Sequence, residues 1–152
     1  TGAFDRIEFT GSGGRTLRGK WQHGPLTYLG MQIAGFPNLF TLVGPHNAST
    51  FCNMPRCIEQ NVEWLSDLLH HLEATGSQRI EPTVEAEAAW TEHVHETAER
   101  MLLSKVNSWF MGVNTNLGKT ERHFLLYAGG APKYRDRCDE VAADGYDGFV
   151  IS

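Results

Sequence analysis

The sequence predicts a mixed α/β fold, and two observations support that class. Apolar residues recur at helical spacing in two long segments, from about 55 to 76 and from about 82 to 105. Shorter apolar runs of strand length, bounded by Gly and Pro, lie at 39–43, 123–128 and 148–151. With 152 residues, 41% of them apolar and 20% charged, the chain has the composition of one folded domain.

The first predicted elements are a β-hairpin and a buried strand. Ile7 and Phe9 alternate with polar neighbours before the Gly-rich turn at residues 11–14, and the alternation then resumes, as in a hairpin. The run at 39–43, Leu-Phe-Thr-Leu-Val, ends at Gly44-Pro45. A short continuous apolar run between breakers predicts a strand that is buried on both faces and runs parallel to its neighbours in the centre of a sheet.

Two long helices follow. The first has Asn53 as a plausible N-cap, Pro55 in its first turn and Gly76 as its stop. Its apolar stripe, which we expect to be buried, is Ile58, Val62, Leu65, Leu69 and Leu72. The second helix runs from about Pro82 to about Lys105, with acidic residues early and basic residues late. Its buried stripe is Trp90, Val94, Ala98 and Met101.

The chain closes with a predicted strand, a short helix and a last strand. The strand at 123–128 stops at Gly129-Gly130, and the final strand lies at 148–151. The helix between them places Tyr134, Cys138 and Val141 on one face. A strand buried on both faces needs parallel neighbours that this inventory lacks. Either the sheet is mainly antiparallel or the neighbours lie in sequence outside this chain.

Composition excludes several partner classes. The net charge is −5 and the basic residues are scattered, so we expect no nucleic acid partner. The longest apolar runs are far shorter than the roughly 20 residues of a membrane span, so we expect no membrane insertion. Cys52, Cys57 and Cys138 are odd in number and lack CxxC spacing. This argues against a disulfide framework and for a reducing compartment, and it predicts a cytoplasmic protein.

The stretch "NSWFMGVNTNLGKTE" at residues 107–121 ends in the Gly-Lys-Thr of a phosphate-binding loop. That loop would need Gly at position 113, where this chain has Val113, and it would have to lead from a strand into a helix. The phosphate-loop interpretation is therefore excluded. Two alternatives remain: Trp109 and Phe110 pack into the core, or Trp109 is the aromatic residue of a lid over a ligand.

The polar loop "GPHNASTFCN" leads from the predicted buried strand to the first long helix. Ligands in α/β sheets bind at such places, so the backbone N–H groups near Asn53 and Met54 are candidates to face a cofactor; an ordinary capped helix start is the alternative. His46 and Cys52 lack the third group of a catalytic triad. The histidine pairs at 70–71 and at 93 and 95 lack the i, i+4 spacing of metal ligands, so no metal site is predicted.

Three successive stretches resemble the C-terminal part of the Baeyer-Villiger monooxygenases, a branch of the class B flavoprotein monooxygenases. They are "GPLTYLGMQIAGFPNLFTLVGPHNASTFCNMPRCIEQNVEWLSDLL", "SWFMGVNTNLGK" and "YAGGAPKYRDRCDEVAADGYDGF". The likeness covers nearly the whole chain and implies the C-terminal portion of a flavoprotein with two dinucleotide-binding domains. Residues 1–80 would complete the FAD-binding domain, and residues 81–152 would carry the C-terminal helix, the control loop and part of the substrate wall.

The resemblance further implies FAD as prosthetic group, NADPH as reductant, and oxidation of ketones to esters or lactones with O2. The cofactor-binding residues would be Met54 at the flavin, with Asn53 beside it, and Trp109, Asn114 and Lys119 of the control loop that covers NADP. The substrate pocket would be lined by Ser49, Thr50, Phe51 and Cys52, with Phe124 and Leu125 as further wall candidates. No catalytic residue is assigned within this chain.

The chain also departs from the family pattern. Both GxGxxG fingerprints and the pocket arginine of the family are absent, so the chain should depend on missing N-terminal FAD and NADP domains and be inactive in isolation. Those domains would also supply the neighbours of the strand at 39–43. Two alternatives are a stand-alone, non-catalytic binding or assembly module and a flavin monooxygenase that oxidises nitrogen or sulfur.

Overall fold

The computed structural model describes residues 4–48, 52–99, 101–106, 109–113 and 120–152. Within these ranges it forms four α-helices and one two-stranded sheet. The helices are α1 (Leu17–Lys20), α2 (Met54–Thr75), α3 (Val84–Glu99) and α4 (Ala131–Ala143), and the strands are β1 (Ile80–Pro82) and β2 (Phe149–Ile151). Short 3-10 helices lie at Phe4–Arg6, Ser12–Gly14, Leu102–Lys105 and Trp109–Met111. The mixed class with two long helices is confirmed.

Helix α2 begins and ends where its capping residues predict. Asn53 occupies the N-cap position, and Pro55 lies in the first turn. Gly76 adopts the left-handed conformation at φ 70°, which only glycine adopts without strain. The turn lets the Gly76 and Ser77 N–H groups donate to the carbonyls of Glu73 and Leu72, at 3.1 and 2.9 Å. These bonds satisfy carbonyl groups that would otherwise be unpaired at the helix end.

The predicted buried face of α2 is wrong. Ile58, Val62 and Leu69 are 41%, 43% and 51% exposed, Leu65 is half-buried, and only Leu72 of the predicted stripe is buried. The helix instead packs its other face on the core, where Leu68 is fully buried and the Trp64 indole donates to the Cys138 carbonyl at 2.9 Å. Helix α2 thus has apolar residues on two faces, and one of them remains open.

The faces of α3 and α4 are predicted correctly. Trp90, Val94 and Ala98 are buried, and Met101, just beyond the helix, is half-buried. Helix α3 ends at Glu99, six positions before the predicted Lys105, and a 3-10 turn follows. In α4 the buried residues are Tyr134, Cys138 and Val141.

The strand predictions succeed only at the C-terminus. Strand β2 forms as expected, and it pairs antiparallel with β1, which was not predicted, in the register Ile80 to Ile151. The run at 39–43 is not a strand: its only bridge joins Phe40 to Gln32, and Val43 turns away at φ 53°. Without parallel neighbours, its backbone bonds to a preceding turn, as when Thr41 N–H donates to the Met31 carbonyl at 2.8 Å.

Two further predicted strand elements are reduced to single bridges. The hairpin consists of the pair Thr10 and Thr16 across the Gly-rich turn, and α1 replaces its second strand. The segment at 123–128 forms one parallel bridge, between Asn47 and Leu126.

One large core joins the two halves of the chain. Its members come from both sides of the predicted domain boundary at 80/81, which stays a prediction. They include Tyr28, Leu29, Met31, Trp64, Leu68, Trp90, Val94, Phe124, Tyr134 and Val141. Beside it lies a buried ion pair between Lys20 of α1 and Glu87 of α3, at 2.7 Å. Among the residues placed by the structure, no helix combines the length and apolar character of a membrane span.

Candidate functional site

The loop at 44–48, which leads towards α2, is fixed between two other segments. On one side His46 N–H donates to the Leu125 carbonyl at 2.8 Å, and Tyr127 N–H donates to the Asn47 carbonyl at 3.0 Å. On the other side lies Gly30, where an added Cβ would come within 2.7 Å of the Asn47 nitrogen. Because the backbones at positions 30 and 47 lie so close together, position 30 requires glycine. Backbone contacts therefore set the path of the chain up to Ala48.

A buried polar network then ties this loop to α2 and α4. The Asn47 side-chain amide donates to Asn61 Oδ1 at 2.9 Å and to the Tyr134 hydroxyl at 2.7 Å. That hydroxyl donates in turn to the Leu29 carbonyl at 2.7 Å. Complete burial raises the pKa of Tyr134 well above its ordinary value, so the phenol keeps its proton for this bond. The network therefore fixes the loop to both helices at once.

His46 is fully buried in the same loop, and its backbone takes the left-handed conformation at φ 68°. Its Nδ1 lies 3.0 Å from Thr27 Oγ1, which itself donates to the Pro45 carbonyl at 3.3 Å. The two groups share one hydrogen bond whose donor depends on the imidazole tautomer, and Nε2 has no hydrogen-bond partner within the described ranges. Loss of solvation lowers the pKa of His46 to about 3, and nearby His95 and His123 contribute further.

Lowering the pH is expected to destabilise the protein through His46. In the unfolded chain this histidine takes up a proton below about pH 6.5, whereas in the folded chain it remains neutral until about pH 3. Because the unfolded state binds more protons between these values, the free energy of unfolding should fall by up to about 1.4 kcal/mol per pH unit from this residue alone. Urea denaturation at several pH values below neutrality measures that slope.

The control for this prediction is His46→Asn, because asparagine tolerates the left-handed backbone and does not titrate. Its free energy of unfolding should depend less steeply on pH below about 6.5, while the two proteins should share the same dependence at higher pH. Identical acid slopes would contradict the predicted role of His46.

The start of α2 brings two cysteines together. The sulfur atoms of Cys52 and Cys57 are in contact as a disulfide pair, with their Cα atoms 6.5 Å apart. The sequence argument against a disulfide framework did not foresee this single pair, and Cys138 is the free cysteine of the described chain. The spacing hides the pair, because Cys52 lies before the helix and Cys57 lies in its first turn, where the chain folds back towards it.

The predicted site residues fall into two groups. Ser49, Thr50, Phe51, Asn114 and Lys119 lie outside the described residues, as does the side chain of Trp109. Among the others, Met54 is 46% exposed as the first residue of α2, with Asn53 exposed before it and Cys52 half-buried. Phe124 is buried in the core, and Leu125 is half-buried. Their roles stay predictions.

Backbone hydrogen bonds bring three of the predicted segments together. Leu125 N–H donates to the Phe110 carbonyl and His123 N–H donates to the Met111 carbonyl, both at 2.9 Å. The segment that follows Trp109 is thereby joined to the segment of Phe124 and Leu125, which also contacts the loop at 44–48 through His46. Among the described residues, the backbone hydrogen bonds outside helices and strands do not join Met54 to this group. The segment that follows Trp109, the segment of Phe124 and Leu125 and the loop at 44–48 therefore share one region.

The sequence did not reveal the contacts that hold this region together, although it placed Tyr134 on one face of α4. His46, Asn47, Asn61 and Tyr134 are polar, yet each is at least 98% buried. The one available signal was polar residues directly after an apolar run. It could not reveal their partners, because Asn47 lies 14 positions from Asn61 and 87 positions from Tyr134. Among the placed residues, no group of His, Cys, Asp or Glu is arranged to hold a metal ion.

Comparison with known proteins finds many relatives, although no protein-family model matches the chain. An acetone monooxygenase (methyl acetate-forming) of Gordonia sp. strain TY-5 is 44% identical over 100% of this chain and 28% of the relative. The phenazine N-monooxygenase PhzNO1 of Lysobacter antibioticus is 42% identical over 99% of this chain and 27% of the relative. A Baeyer-Villiger monooxygenase of Pseudooceanicola batsensis is 38% identical over 98% of this chain and 27% of the relative.

Solved structures agree with these relatives. A crystal structure of OTEMO in complex with FAD and NADP is 43% identical and superposes with a TM-score of 0.91, over 100% of this chain and 27% of that chain. The chain thus spans 27% to 28% of the length of these relatives. Sequence and fold agree on one conclusion: along its whole length, this chain is homologous to the C-terminal part of the Baeyer-Villiger monooxygenases.

Proposed function

We propose that this chain serves as the C-terminal segment of an FAD- and NADPH-dependent Baeyer-Villiger monooxygenase that converts ketones into esters or lactones with O2. The observation that carries the proposal is the match over the whole chain, at 43% identity and a TM-score of 0.91, to a structure that holds FAD and NADP. The acetone monooxygenase relative forms methyl acetate, so it converts a ketone into an ester.

The start of α2 fits a flavin edge. Met54 is exposed at the positive end of a helix of 22 residues, where electron-rich ligand atoms are favoured. Beside it, the open apolar face of α2 suits the rest of an FAD-binding domain. The chain lacks GxGxxG, so the phosphates of FAD must be bound elsewhere. When bound, FAD supplies the activation of O2, and Asn53 and Met54 would hold its edge.

The substrate wall and the lid are proposed on either side of the segment at 123–125. Half-buried Leu125 is a better wall candidate than Phe124, which is 3% exposed and packs into the core of this chain. Ser49, Thr50, Phe51 and Cys52 would complete the wall. Trp109, with Asn114 and Lys119, would cover NADP and exclude water from the pocket.

The test compares a full-length enzyme that carries this segment with the isolated segment. The full-length enzyme should retain FAD and consume NADPH when ketones are added, with ester or lactone products identified by mass spectrometry. The isolated segment should retain no stoichiometric FAD and show no turnover, because it lacks both phosphate-binding fingerprints. Turnover by the segment alone, or a full-length enzyme that oxidises no ketone, would overturn the proposal.

A second candidate function is oxidation of nitrogen or sulfur. The observation that favours it is the phenazine N-monooxygenase at 42% identity, nearly as similar as the acetone enzyme. Product analysis with the full-length enzyme separates the two. An N-oxide or sulfoxide retains the carbon skeleton of the substrate, whereas an ester has a new oxygen inserted between two of its carbon atoms.

A non-catalytic module is the third possibility, and it predicts no GxGxxG upstream in the parent gene. We also propose, from the cysteine content, that the protein is located in the cytoplasm.

A further inference from the structure

Two of the three cysteines form a chemically distinct pair. Cys52 and Cys57 have their sulfur atoms in contact and their Cα atoms 6.5 Å apart, which lies within the range of protein disulfides. They line a cavity of about 330 Å³ between the first turns of α2 and α4. Cys138 differs from both, since it is fully buried and burial raises the pKa of its thiol to about 12.

The two paired cysteines differ in access to solvent. Cys52 is half-buried and lies before the helix, whereas Cys57 is 6% exposed in the first turn behind it. A small solute that enters the cavity can therefore reach the sulfur of Cys52 first. Cys57 is placed to react with Cys52 afterwards, because the two Cα atoms are 6.5 Å apart and both residues line the same cavity.

The surroundings of the pair favour ionised sulfur. Arg56 and Arg135 line the same cavity with the Asp136 carboxylate, and Arg56 also pairs with Glu59 at 3.9 Å. The positive end of the α2 dipole adds to this field, since Cys52 precedes the helix and Cys57 lies in its first turn. Positive charges and helix N-termini stabilise thiolates, and the thiolate is the form that attacks oxidants.

We propose that Cys52 and Cys57 are a reversible dithiol–disulfide pair that is oxidised by hydroperoxides. The Cys52 thiolate attacks the peroxide, a sulfur–oxygen bond forms, the oxygen–oxygen bond breaks, and the departing hydroxide leaves as water after taking a proton. The Cys57 thiolate then attacks the sulfenic sulfur, a sulfur–sulfur bond forms, the sulfur–oxygen bond breaks, and the departing hydroxide takes a proton and leaves as a second water. Two thiols are oxidised and one hydrogen peroxide is reduced to two waters.

The switch has a defined structural consequence. The oxidised pair ties the residue before α2 to the first turn of that helix, over a separation of five positions. A bond across so short a loop constrains the unfolded chain less than one across a long loop, so the fold does not depend on it for stability to the same degree. Reduction frees Cys52 and leaves α2 capped by the same backbone contacts.

The experiment uses mass spectrometry of the full-length protein that carries this segment, reduced with dithiothreitol and then treated with hydrogen peroxide. Trypsin cuts after Arg56, between the two cysteines, and gives the peptides 21–56 and 57–79. These should become disulfide-linked after peroxide and separate again after dithiothreitol. In the native reduced protein, iodoacetamide should modify Cys52 at least about tenfold faster than Cys138.

Two variants complete the test. Cys57→Ser should leave Cys52 as a sulfenic acid that dimedone captures, whereas the wild type should show little capture. Cys138→Ser is the matched control and should form the linked peptides to the same extent as the wild type. The proposal is overturned if peroxide produces no linked peptides, if Cys52 links mainly to another cysteine, or if dimedone labels the wild type as strongly as Cys57→Ser.

Discussion

Replacing Glu87 by alanine is expected to lower the free energy of unfolding by about 3–5 kcal/mol. Glu87 is 3% exposed on α3, and its carboxylate accepts from Lys20 Nζ at 2.7 Å and from Ala34 N–H at 2.8 Å. The same Lys20 ammonium donates to the Ala34 carbonyl at 2.6 Å. Removing the carboxylate leaves a buried cation with one neutral partner, so most of the cost is that of an uncompensated charge.

Chemical denaturation measures this loss, and two further variants identify its cause. Glu92→Ala, an exposed position on the same helix, should change the free energy of unfolding by no more than about 0.5 kcal/mol. Glu87→Gln keeps an acceptor for Ala34 N–H but leaves the Lys20 charge unpaired, so it should remain strongly destabilised. Equal stability of the Glu87→Ala and Glu92→Ala variants would show that the ion pair contributes little.

Replacing Leu68 by alanine is expected to cost about 2–5 kcal/mol. Leu68 is fully buried on the face of α2 that packs on the core, and its removal leaves a cavity among large side chains such as Trp64. The next residue provides a matched control on the other face of the same helix. Leu69 is 51% exposed, so Leu69→Ala should cost less than about 1 kcal/mol in this chain.

The same pair of variants tests whether the open face of α2 is covered in a longer enzyme. If a further domain packs on Ile58, Val62 and Leu69, the cost of Leu69→Ala should rise in the full-length protein towards that of a buried leucine. Thermal or urea denaturation of both variants, in both lengths of protein, gives the comparison. An unchanged small cost for Leu69→Ala in the full-length protein would argue that this face stays exposed.

The helices could be predicted from the sequence because their signals are local. Asn53 and Pro55 mark the start of α2 and Gly76 marks its end, and each acts on backbone groups within a few residues of itself, so capping chemistry needs no distant partner. The buried face of α2 was predicted wrongly for a related reason. Spacing detects an apolar stripe but does not say which of two apolar faces meets the core.

The strand at 39–43 and the candidate site could not be predicted in the same way, because both depend on partners far along the chain. A strand forms only where a neighbour accepts its hydrogen bonds, and here Thr41 bonds to the turn at Met31 instead. Strand β1 pairs with β2 across most of the C-terminal half. The resemblance located the segments of the candidate site, but the contacts of His46 and Asn47 emerged only from the fold.

The Asn47 network has a consequence for the order in which this protein is made. Asn47 and Tyr134 bond to each other across 87 positions of sequence. At typical synthesis rates of 5–20 residues per second, roughly 4 to 17 s separate their appearance during translation. Throughout that interval the loop at 44–48 lacks both Tyr134 and the segment around Leu126 that holds it. The loop can therefore take its final position only after Tyr134 has been translated, long after the loop itself.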